Sequence, residues 1–122
     1  SPVPGLMRWM EKNAPLAFEN CLNKIDDEEN LLKKTFVYLT ESNREDNLPN
    51  DPVARFHLGN GAILHKINLN ADPSKKGLTQ SNGIMVNYLY DLDVVEKNHE
   101  LFFKNKEVIL SSEMKSLKKK YS

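Results

Sequence analysis

A chain of 122 residues in which 17 Lys+Arg balance 17 Asp+Glu has the length of one domain and lacks the basic excess of a nucleic-acid binder. Hydrophobic residues make up 39% and mean hydropathy is −0.57, so the core is expected to be small or completed by further chain. No apolar run nears the roughly 18 residues of a membrane span, and no secretory-signal pattern is seen. The single cysteine, Cys21, cannot form an internal disulfide and suits a reducing compartment.

The chain opens with SPVPG at 1–5. Pro2 and Pro4 hold the backbone extended and Gly5 frees it to turn. Leu6, Met7, Trp9 and Met10 then begin an apolar helical patch. A second helix is expected over Pro15 to Ile25, with Phe18, Cys21, Leu22 and Ile25 on one face and proline at its first position. On that face Cys21 reads as a small buried hydrophobe rather than a reactive thiol. Asp26, Asp27, Glu28 and Glu29 read as a helix start, with Asp26 or Asp27 as N-cap, rather than as a metal site, because four consecutive acids spread around a helix. Leu31, Leu32, Thr35, Phe36 and Leu39 continue that helix to about Thr40.

Residues 41–50 are polar and loop-like. Asp51-Pro52 restarts a helix as cap and first residue. It carries Val53, Phe56 and His57 and stops at Gly59. Two alternating segments follow, at about 62–69 and 84–91. In the first, Ile63, His65, Ile67 and Leu69 share one face; in the second, Ile84, Val86, Tyr88 and Tyr90 do. The connection between them holds a turn and a short helix, and its length favours antiparallel pairing. Asp93 is expected to cap a helix from Val94 to about Lys104. Leu110, Met114, Leu117 and Tyr121 form the face of a last one. Lys118, Lys119 and Lys120 suit the negative pole of that helix better than a membrane or nucleic-acid contact.

One cysteine and three scattered histidines give no metal-ligand spacing, and neither a P-loop nor a dinucleotide-binding glycine pattern is present. His57 stands out because a histidine beside a glycine turn can face a ligand without a neighbouring side chain in the way. Local reading leaves it open between a ligand-facing group and a helix-end histidine resting on the dipole. Ser1 reads locally as a terminal residue and Tyr90 as a strand aromatic. His65 is assigned to packing or solvent, His99 to a helix surface or a cap, and Asn60 and Gly61 to the turn that aims His57.

Three stretches carry more than local information: SPVPG at 1–5, DPVARFHLGNGA at 51–62, and SKKGLTQS followed by GIMVNYLY between 74 and 90. In their order and their wording they resemble the malonyl-CoA decarboxylase family. The resemblance implies an α+β fold, the C-terminal portion of an acetyltransferase-like (GNAT) sheet, in which an antiparallel strand pair is flanked by helices. Residues 1–122 would be a single partial catalytic domain, with a helical domain and the first sheet strands upstream; the start at Ser1 without methionine agrees with that expectation.

The implied activity is decarboxylation of malonyl-CoA to acetyl-CoA and carbon dioxide, in fatty-acid metabolism. Ser1 and His57 would be its catalytic and substrate-binding pair, with His57 as proton donor and Ser1 as the substrate-polarising or proton-accepting partner. Tyr90 would complete the site. No cofactor is implied, since coenzyme A is part of the substrate, and the loop that cradles its pyrophosphate lies upstream of SPxPG in the family. Malonyl-CoA is the implied partner, with no nucleic acid and no membrane, and the full-length enzyme would be a homo-oligomer. Members occur in the mitochondrial matrix, peroxisome and cytoplasm. The competing expectation is a catalytically silent acyl-CoA-binding or regulatory protein of the same fold, prompted by the short stretch between the first two motifs; an acetyltransferase is the weaker third. The sequence departs from the family where Leu69 stands in place of a tryptophan, and where Lys-Tyr-Ser stands in place of the Ser-Lys-Leu terminus of some members.

Overall fold

The computed structural model describes residues 1–121. Seven helices and two strands follow in the order α1 (Leu6–Asn13), α2 (Pro15–Leu22), α3 (Glu28–Thr40), α4 (Pro52–Gly59), β1 (Ile63–Asn68), α5 (Lys75–Ser81), β2 (Met85–Leu89), α6 (Val95–Asn105) and α7 (Ser112–Tyr121). β1 and β2 pair antiparallel. Each strand also gains a short partner on its outer edge. Pro2 bridges Met85 beyond β2, and Leu110 bridges Leu64 beyond β1. The helices flank this strand pair, and one apolar cluster joins α1, α3, α4, α6 and α7 to both strands through Leu6, Met10, Leu39, Leu58, Leu64, Val86, Phe102 and Met114.

Most boundaries follow local signals. Asp51 caps α4, its carboxylate accepting the Ala54 amide at 2.9 Å, and Pro52 occupies the first helical position. Ser74 caps α5 in the same way, accepting the Gly77 amide.

Four details differ from the sequence-based expectation. α2 ends at Leu22 instead of Ile25, because Lys24 turns the chain with a φ of 55°. Leu22 and Ile25 are therefore exposed, while Phe18 and Cys21 pack on the core beside buried Ala17. Asp27 is the residue before α3 but its side chain makes no capping bond. Asp93 does not cap α6, which starts one residue later behind Val94; the Asp91 carboxylate instead accepts the Asp93 amide and closes the preceding turn.

The fourth difference is a β-bulge. The register runs Leu64 to Tyr88 and then Lys66 to Asn87, so His65 is an extra residue in β1. The expected alternation breaks there. Leu64 and Ile67, three residues apart, are both buried, and His65 is exposed.

Candidate functional site

The site is assembled from three places in the chain. α4 turns Ala54 and Leu58 into the core, and His57, in its last turn, lies half-buried at the surface beside β2. The helix must stop immediately afterwards for β1 to begin. Gly61 makes that stop with a φ of 90°, and a Cβ there would strike the carbonyl oxygen and a methyl group of Val95. His99 reaches across from α6, its Nδ1 on the Gly59 carbonyl, and so serves as a cap for α4.

β2 and the residue that follows it supply two tyrosines on one side. Tyr88 and Tyr90 are separated by two positions, so both point toward α4. Ser1 is held next to them by its backbone. Its nitrogen donates to the Val86 carbonyl at 2.9 Å, and its carbonyl accepts the Val86 amide at 2.8 Å. Ser1 thus extends the sheet by one residue, two positions along from Tyr88.

These placements converge on one imidazole. The Ser1 Oγ lies 3.2 Å from His57 Nε2, and the Tyr90 hydroxyl lies 2.7 Å from Nδ1. Both ring nitrogens therefore have a partner, one on each side. Tyr88 covers a face of the ring, with centroids 4.5 Å apart and planes 19° from parallel. Phe56 presents an edge at 5.2 Å. All three residues that the sequence reading selected, Ser1, His57 and Tyr90, meet here. His65 and His99 do not take part.

At the start of α4 lies a buried polar cluster. The Asp51 carboxylate is fully buried. It accepts the Ala54 amide, the Tyr38 hydroxyl at 3.3 Å, and the influence of the Gly5 and Val53 amides. Gly5 is held tightly there, since a Cβ on it would collide with the Tyr38 hydroxyl. Asp51 therefore ties the segment that carries Ser1 to the helix that carries His57.

The electrostatics follow from this packing. Burial lowers the His57 pKa below its ordinary value. Burial raises the Asp51 pKa, against the opposing effect of its hydrogen-bond donors. Burial, followed by the nearby Asp51 charge, pushes the Tyr88 phenol upward and keeps it protonated. Burial raises the Cys21 thiol as well, far from this site, which agrees with its reading as a small hydrophobe.

Such an arrangement suits proton transfer. An imidazole flanked by two hydroxyls can carry a proton on the nitrogen nearest a substrate while the other nitrogen stays engaged. Sequence reasoning overlooked Tyr88, Phe56 and the second role of Asp51. Tyr88 shares the strand parity of Tyr90, and that was the available signal. Its stacking on His57 depends on where α4 sits against β2, which no local pattern encodes.

The family model described as malonyl-CoA decarboxylase C-terminal domain matches residues 24–122. The mitochondrial malonyl-CoA decarboxylases of Rattus norvegicus and Mus musculus are each 46% identical to the chain over 67 residues, 55% of it, and those residues are 14% of either relative. Among solved structures, malonyl-CoA decarboxylase from Rhodopseudomonas palustris superposes with a TM-score of 0.85 at 35% identity, covering 95% of this chain. The enzyme from Agrobacterium vitis gives 0.84 at 39% identity over 96%. This chain spans 33% and 34% of those two solved chains.

Proposed function

The chain belongs to the malonyl-CoA decarboxylase family by its C-terminal domain, and from that membership we propose that Ser1, His57 and Tyr90 carry out the decarboxylation of malonyl-CoA to acetyl-CoA and carbon dioxide. The observation that carries the reading is the two-sided engagement of His57, with Ser1 at Nε2 and Tyr90 at Nδ1. The activity is that of the whole enzyme, to which residues 1–122 contribute the proton-transfer end of the site as one part of the catalytic domain.

In this mechanism the bond between the carboxylate carbon and the α-carbon breaks. Carbon dioxide leaves, and the electron pair delocalises through the α-carbon onto the thioester oxygen as an enolate. Catalysis then needs a donor for that oxyanion and a proton for the carbon. The Ser1 hydroxyl donates to the substrate, at its carboxylate or at the developing oxyanion. The His57 imidazolium gives the Nε2 proton to the α-carbon, and the neutral ring regains a proton from solvent. Tyr90 holds Nδ1 and so aims Nε2. No covalent acyl-enzyme is needed.

The family supports further parts of the proposal. The strand pair β1–β2 is read as the C-terminal portion of an acetyltransferase-like sheet. Coenzyme A enters as part of the substrate and no separate cofactor takes part. The full-length enzyme is proposed to be a homo-oligomer acting in fatty-acid metabolism. The curated relatives are named mitochondrial, which favours the mitochondrial matrix over peroxisome or cytosol. Among the described residues, no helix is long and apolar enough to cross a membrane.

The test is His57→Ala in the enzyme that carries this chain, assayed for acetyl-CoA release from malonyl-CoA. Loss of general-acid help lowers kcat by roughly 10²–10⁴-fold with KM little changed. An unaltered kcat overturns the assignment.

A further inference from the structure

Two hydrogen bonds at the edges of an imidazole do not fix its plane. Hydroxyl groups rotate to follow the ring, and at 3.2 Å the Ser1 contact is a loose one. Something must keep the ring from turning about its Cβ–Cγ bond.

Tyr88 is placed to do that. Its ring lies against the His57 ring at 4.5 Å and 19°, a face-to-face contact that twisting the imidazole would convert into a clash. The Phe56 edge limits the ring from another direction. Tyr88 is itself rigid, carried by β2 opposite Leu64 and packed against the core. Its hydroxyl is buried and has no hydrogen-bond partner among the described residues. A tyrosine kept with an unsatisfied buried hydroxyl is costly if only its packing matters, so the position calls for an explanation. The hydroxyl is an unsuitable proton donor to substrate, because it is enclosed and both imidazole nitrogens are already engaged by Ser1 and Tyr90. The ring face is what reaches the site.

We infer that Tyr88 is a positioning residue for the decarboxylation: its ring face holds the His57 imidazole in the plane that keeps Nε2 on Ser1 and Nδ1 on Tyr90. The inference rests on the reading of His57 as the proton donor. Tyr88 also closes one face of the imidazole, so an acyl group reaches the ring only at an edge or from the uncovered face. The electron-rich face of an uncharged phenol favours the imidazolium over the neutral ring, which opposes the burial that disfavours it.

The experiment has two arms. In the enzyme that carries the chain, the His57 ring protons are observed by NMR. The stack displaces them upfield from the positions of exposed His65, and Tyr88→Phe keeps that displacement while Tyr88→Leu removes it. In the enzyme that carries the chain, Tyr88→Leu lowers kcat by about tenfold or more with KM within about threefold, and Tyr88→Phe restores most of the loss. His57 ring protons at the ordinary position in the unmodified enzyme overturn the inference, and that reading does not depend on any variant folding. A kcat as low in Tyr88→Phe as in Tyr88→Leu also overturns it, because the hydroxyl would then be the working group. Failure of His57→Ala to lower turnover ends the proposed function instead, and leaves the stacking result standing.

Discussion

The Tyr90 hydroxyl and His57 Nδ1 lie 2.7 Å apart across 33 residues of sequence, and in the proposed mechanism this contact decides which imidazole nitrogen faces the reaction. With Nδ1 held by Tyr90, Nε2 is left for Ser1 and for substrate. Tyr90→Phe keeps the ring and deletes the bond. The expected outcome is a kcat reduced about tenfold, the equivalent of one hydrogen bond of about 1.4 kcal/mol, with little change in KM. Steady-state kinetics check it, and a kcat equal to that of the unmodified enzyme removes Tyr90 from the site.

The lowered pKa of His57 gives a pH dependence of defined sign. The proton donor must enter the reaction as imidazolium. In the free enzyme, burial disfavours that charge, so kcat/KM falls with rising pH through a value below the ordinary 6.5 of histidine. In the proposed substrate complex, a malonyl carboxylate seated beside the ring would favour the charge and raise the pKa. The falling limb of kcat therefore lies at higher pH than that of kcat/KM. Parallel pH profiles of the two constants check this, and coincident limbs contradict it.

The sequence made much of the site readable, because its strongest clues are local. Asp51-Pro52 marks where α4 begins, and Gly61 marks where it must stop. The alternation of Ile84, Val86, Tyr88 and Tyr90 marks which side of β2 the tyrosines occupy. Two kinds of information were not local. The bulge at His65 satisfies the packing of Leu64 and Ile67 together, so strict period-two reading placed Leu64 and Ile67 on opposite faces. The Ser1–Val86 backbone pairing joins residues 85 positions apart, and only the resemblance of SPVPG to a family motif brought Ser1 forward. Lys24 ended α2 early by a left-handed turn that lysine rarely adopts, and nothing in its neighbours signalled it.

Asp51 joins the two segments of the site, and its removal has a thermodynamic signature. Asp51→Ala deletes the α4 cap on the Ala54 amide, worth about 1 kcal/mol, and leaves the buried Tyr38 hydroxyl without its acceptor, worth a further roughly 1–3 kcal/mol. Burial raises the Asp51 pKa. The proton-linked part of its contribution is thus fully present below the unfolded carboxylate pKa and is lost as pH rises through the folded value, while the hydrogen bonds that it accepts remain. Asp51→Asn keeps an acceptor without that charge, so at pH 7 it costs less than half as much as alanine. Thermal unfolding reads both, at about 4 °C per kcal/mol for a chain of this size. Equal losses in the two variants refute the argument.

Gly59 and Gly61 stand two residues apart at the end of α4 and respond oppositely to a methyl group. At Gly59 a Cβ meets the rings of Phe103 and Phe102 at 3.6 and 3.7 Å, ordinary van der Waals contact, and the position is helical. Gly59→Ala therefore gains helix propensity and stabilises by up to about 1 kcal/mol. At Gly61 the φ of 90° is strained for any residue with a side chain, and the added Cβ collides with the Val95 carbonyl oxygen, a backbone atom that cannot swing aside. Gly61→Ala destabilises by about 2–4 kcal/mol. Because the strain falls on the turn that aims His57, its kcat drops as well, whereas Gly59→Ala leaves that turn intact. Denaturant titration of the two variants checks the opposite signs, and stabilisation by Gly61→Ala would mean that α4 does not end in the turn described.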